Sequence, residues 1–98
     1  VKGIVYFGFP LHAPGKVGLE RAAHLVEIQV PQLFLQGTRD TLAKFDLITE
    51  VCEGLEKATL VEMEGGDHSF KTLKRSGITH EEMIEKLANT TRMWADEL

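Results

Sequence analysis

The chain has 98 residues, 43% of them hydrophobic and 27% charged, with a formal net charge of -4, the composition of an ordinary globular domain. Mild acidity without Lys/Arg runs excludes the electrostatic footprint of a nucleic-acid or anionic-membrane binder, and no apolar run approaches the roughly 20 residues of a membrane helix. A single cysteine, Cys52, excludes an internal disulfide and fits a reduced, cytoplasmic compartment.

Strand and helix patterns alternate along the chain. Ile4 to Phe9 is apolar at nearly every position, which predicts a strand buried on both faces of a parallel sheet. Pro10 ends it, and Pro14-Gly15 marks a turn in the loop from Leu11 to Gly18. Gly18 to Glu27 is read as a short helix with Leu19, Ala22, Ala23 and Val26 on its inner face. Val30 to Gln36 is a second strand, with Pro31 tolerable near its start and the polar Gln36 and Gly37 closing it. Thr41 to Leu55 places Leu47, Ile48, Val51, Cys52 and Leu55 on one helical stripe, and Ala58 to Met63 is rich in β-formers. In the last helix, Thr79 and Glu82 have the spacing of a capping box. Behind them Met83, Ile84, Leu87, Ala88, Trp94, Ala95 and Leu98 form an apolar face that needs a sheet to cover. The expected fold is therefore a three-layer α/β/α arrangement of parallel strands with right-handed crossovers, uninterrupted by repeats or linkers.

Two acid-base residues follow two of these strands. Gly37-Thr38-Arg39-Asp40 comes just after the second strand, and Gly65-Gly66-Asp67-His68-Ser69-Phe70 just after the third. Both therefore stand at the C-terminal edge of the sheet, where ligands bind in open α/β folds. An Asp followed by a His on successive strand-end loops is the second half of the chain order Ser…Asp…His. No Gly-x-Ser-x-Gly elbow occurs, and the only serines, Ser69 and Ser76, come after the acid.

Pro10-Leu11-His12-Ala13-Pro14-Gly15-Lys16, Leu35-Gln36-Gly37-Thr38-Arg39-Asp40 and Gly65-Gly66-Asp67-His68-Ser69-Phe70 together resemble the C-terminal half of the dienelactone-hydrolase-like α/β-hydrolases. The nearest branch is that of the predicted hydrolases related to testis-expressed protein 30 and the third subunit of the NSL histone-acetyltransferase complex. The resemblance implies a serine hydrolase acting on an ester, thioester, lactone or amide carbonyl. Asp40 then matches the triad acid and His68 the triad base; Thr41 departs from the Pro that commonly follows the acid. The nucleophile elbow and oxyanion-hole loop would lie upstream of Val1, so the 98 residues are expected to be a partial domain, inactive alone and prone to self-association through an exposed sheet edge.

Other readings of the same residues stand beside this one. Asp40 could cap the following helix, His68 could be a surface histidine, and Asp67 could replace Asp40, although neighbouring side chains on an extended loop tend to point apart. His12, just after the first strand, could contact substrate or could be held by loop backbone. Arg39 is read as a solvated arginine or a carboxylate partner at the pocket rim, and His24 and His80 as surface residues. Gly65-Gly66 lets the loop turn tightly and bring His68 over the sheet. The histidines lack metal-ligand spacing, so neither metal nor cofactor is expected. The alternative to an enzyme is a noncatalytic binding or scaffold module on the same fold.

Overall fold

The computed structural model describes residues 2–12 and 20–98, so the expected turn at Pro14-Gly15 and the inward placing of Leu19 lie outside the described residues. Three strands, β1 (Ile4–Phe7), β2 (Gln32–Gly37) and β3 (Ala58–Met63), form one sheet in the order β1-β2-β3, with both pairings parallel. Ile4 pairs with Gln32 and Gln32 with Ala58, so the strands start level and all three C-terminal ends meet at one edge.

The sheet is covered on both faces, which gives the three layers expected. On one face, Phe34 packs with Phe9, Leu25, Ile48 and Cys52, so that α1 (Phe45–Glu53) and a 3-10 helix (Glu20–Glu27) share one core. On the other, Leu33, Leu35 and Met63 meet Phe70, Met83 and Leu87, and α2 (His80–Asp96) closes that side. Alternation along β2 decides which residue joins which core, because successive side chains point to opposite faces. All six β2 residues are buried, as the central position of the strand requires.

β1 corrects one expectation. It stops at Phe7, and rather than being buried on both faces it is half-buried, with Phe7 55% exposed. As one of the two edge strands of the described sheet it pairs only with β2. Gly8 turns the chain out of the strand with φ 81°, two residues ahead of Pro10.

The first helical segment also differs. The expected inner face named Ala23 and Val26, yet both are exposed, and Ala22 and Leu25 are buried. The segment is 3-10, with three residues per turn, so its inner row is Ala22, Leu25 and the half-buried Ile28 at intervals of three. α1 begins at Phe45 and not Thr41. In α2, only Met83 and Leu87 of the anticipated face are buried and Trp94 is half-buried, while Ile84, Ala88, Ala95 and Leu98 are exposed, since a three-stranded sheet is too narrow to cover the whole stripe. The capping box at its start is formed as expected: Thr79 accepts from the Glu82 backbone N–H, and the Glu82 carboxylate accepts from that of Thr79.

Candidate active site

Asp40 and His68 face each other over the C-terminal edge of the sheet. His68 Nδ1 lies 2.8 Å from Asp40 Oδ2; a carboxylate can only accept, so the ring carries its proton on Nδ1. The other carboxylate oxygen, Oδ1, accepts from the Leu42 N–H at 2.7 Å. Asp40's side chain is fully buried, while that of His68 is 37% exposed. The acid is thus fixed beneath the base, and the base reaches the surface. Among the described residues no group bonds Nε2, the ring atom free to exchange a proton with a ligand.

Capping does not account for Asp40. α1 starts five residues later, with Lys44 at its N-cap and no side-chain cap bond. Residues 40 to 44 instead form the loop that carries the acid, braced by Asp40 at one end and by His12 at the other. His12 is 5% exposed, its Nε2 accepts from the Lys44 N–H at 2.9 Å, and its own N–H donates to Leu42 O. It is held by loop backbone, and it also helps line a cleft of about 380 Å³ with Thr38, Arg39, Asp40 and Phe45. A larger hollow of about 470 Å³ lies by the strand starts, between Leu25, Gln32 and Lys57. Neither Asp40 nor His68 lines it, whereas Asp40 lines the smaller cleft.

The two strand-end loops are locked together by backbone. Thr38 N–H donates to Met63 O, Arg39 N–H to Gly66 O, and Gly65 N–H to Thr38 Oγ1 at 2.8 Å. The Arg39 guanidinium donates to Gly65 O at 3.1 Å, so this arginine clamps the base-bearing loop. Contact is so close at Gly37 that a Cβ there would stand 2.1 Å from Gly66 O; only glycine fits. Gly65 takes φ 83°, the turn expected of the glycine pair.

Asp67 has a different task from its neighbour. Its Oδ1 accepts from the backbone N–H groups of Ser69 and Lys71. Desolvation raises its carboxyl pKa, but those two hydrogen bonds with the charges of Arg39 and Lys71 outweigh it, and the net shift is downward. It shapes the loop that presents His68. Phe70 completes that loop in the left-handed region, φ 64°, with its ring buried. Its carbonyl accepts from His80 Nδ1 at 3.1 Å. His80, expected as a plain surface residue, ties the loop to the first turn of α2.

Four contributors escaped the sequence: Gly8, Gln36, Thr38 and His80. A glycine at a strand end is a signal for close backbone approach, and Gly8 carried it; the other three act through partners 10 to 27 residues away. Both serines lie between β3 and α2. Ser76 Oγ donates to Leu73 O within a 3-10 turn, and Ser69 lies on the His68 loop itself. Among the described residues no cluster of His, Cys, Asp and Glu could hold a metal ion, and no helix is long and apolar enough to cross a membrane.

A family model described as an alpha/beta hydrolase domain matches residues 1–96. No curated protein and no solved structure matches the chain. The sheet topology, the two covered faces and the strand-end loops agree with that one match across nearly all the sequence, and the chain belongs to the alpha/beta hydrolase domain family.

Proposed function

We propose that the chain supplies the acid and base of a serine hydrolase of dienelactone-hydrolase-like type, acting on an ester, thioester, lactone or amide carbonyl. The observation that carries this reading is the 2.8 Å bond between the buried Asp40 carboxylate and the Nδ1 of a His68 ring whose far side is open. The nucleophilic serine and oxyanion hole come from sequence outside these 98 residues. His68 Nε2 takes the serine proton as the hydroxyl attacks the carbonyl, and later returns it to the leaving group. Asp40 holds the tautomer that leaves Nε2 available and stabilises the imidazolium. A reduced, cytoplasmic setting fits the lone thiol of Cys52.

The test uses a protein extended to include the upstream segment. A fluorophosphonate probe labels one serine there, and an activated ester is hydrolysed. His68→Ala removes nearly all turnover; Asp40→Asn lowers it by about 10⁴ through loss of the correct tautomer. The 98 residues alone neither label at Ser69 or Ser76 nor hydrolyse esters above background. A folded, extended protein with no labelling and no hydrolysis of any activated ester would transfer the assignment to a binding or scaffold module.

A further inference from the structure

We propose that Gly8 is a positioning residue for the Asp40–His68 pair: its bare Cα, in the left-handed region, is the seat against which the imidazole rests. The seat itself is fixed from below. Gly8 N–H donates to Leu35 O at 2.9 Å, and the next N–H, that of Phe9, donates to Gln36 Oε1 at 2.5 Å. Consecutive residues of β2 therefore hold consecutive residues of the β1 exit. Gln36 is fully buried, and a buried amide at the end of a central strand has its carbonyl oxygen committed to this one backbone group.

The ring lies directly on that seat. A Cβ built on Gly8 would stand 3.2 Å from His68 O and 3.3 Å from both Cε1 and Nδ1 of the ring. Such distances are tighter than nine in ten real Cβ contacts, so His68 must give by a few tenths of an ångström. Nδ1, one of the atoms pressed, is the atom bonded to Asp40. Asp40 cannot follow, because its other oxygen is tied to Leu42 N–H, and the His68 loop is clamped through Arg39 and Thr38. The displacement is therefore taken up in the acid-base bond.

Other glycines separate contact from conformation. Gly65 and Gly77 share the left-handed region, with φ 83° and 76°, but a Cβ on either meets nothing within 4 Å. Glycine there answers to backbone conformation alone; at position 8 the imidazole adds a second demand. The geometry stands whether or not the protein is catalytic, while its meaning for turnover rests on the hydrolase reading.

The test is NMR of the 98-residue chain with ¹⁵N-labelled histidine. Wild type shows a slowly exchanging His68 Nδ1–H that is lost in Asp40→Ala; its absence in wild type would overturn the proposal with the contact it stands on. Gly8→Ala and Gly8→Asn are expected to abolish or shift that signal, and Gly77→Ala to leave it intact. Asn tolerates the left-handed region, so Gly8→Asn isolates contact from strain. A folded Gly8→Asn with unchanged His68 tautomer and Nδ1–H overturns the proposal. Where a Gly8 variant does not fold, it is combined with His68→Ala: recovery supports the seat, and failure in both backgrounds overturns it. In the extended protein Gly8→Asn lowers kcat by about tenfold or more with KM little changed, as misplaced catalytic groups do. A protein without esterase activity that still shows the signal and loses it in Gly8→Asn defeats the hydrolase reading and leaves this inference standing.

Discussion

Asp67 and His68 are adjacent in sequence and opposite in function. The Asp67 carboxylate turns inward on its own loop, collecting the Ser69 and Lys71 N–H groups, while the imidazole reaches across to a carboxylate from another loop. The lowered pKa of Asp67 has a definite sign for stability. A carboxyl depressed in the folded state contributes stability that is fully present above its unfolded value of about 3.9 and is lost as pH falls through the folded one. Asp67→Asn is expected to lower the urea midpoint at neutral pH and to match wild type at the most acid pH at which both remain folded. An equal deficit at every pH would assign the effect to the amide's geometry and not to charge. The Asp40 and His68 pair was legible in sequence because each residue follows a recognisable strand. The support beneath them was not. Gln36 reads as a polar residue closing a strand, yet it is buried because its oxygen meets a backbone N–H 27 residues away, a partner no local pattern reveals.

At the scale of elements, the boundaries that were read correctly are those set by local chemistry. β3 coincides with its run of β-formers, and α2 begins where the capping box places it. α1 began four residues late because Thr41 to Lys44 serve the acid loop, bonded to Asp40 and His12. The 3-10 helix defeated a reading that assumed 3.6 residues per turn, since the shorter period moves burial from Val26 to Leu25. The cap of α2 reaches beyond its own helix, for the residue it starts, His80, holds Phe70 O. Thr79→Ala is expected to destabilise the chain by about 1 kcal/mol and to speed amide exchange at Phe70, whose N–H closes the loop turn onto Asp67 O. Unchanged exchange at Phe70 with the same loss of stability would show that the helix start and the His68 loop open independently.

Among the described residues, three strands carry two covered faces and end in two edges, β1 and β3, and at the β1 edge Phe7 is 55% exposed. An uncovered edge strand offers its unpaired N–H and C=O groups to another strand. Light scattering of the 98 residues after size exclusion is expected to give a mass that rises with concentration, and Phe7→Lys to shift it toward the monomer; a clean monomer at high concentration in both would remove the edge as an association site. The opposite flank holds its own gauge of integrity. Cys52 faces the core from α1, 8% exposed, and burial pushes its thiol pKa up to about 11. Since the thiolate is the reactive form, a maleimide or an aromatic disulfide finds almost none of it until α1 lifts from the sheet. The rate of thiol capture thus becomes a clock for that opening: slow and urea-dependent in a sound core, fast at once in any variant whose helix has come loose, and readable at the chain's own single cysteine.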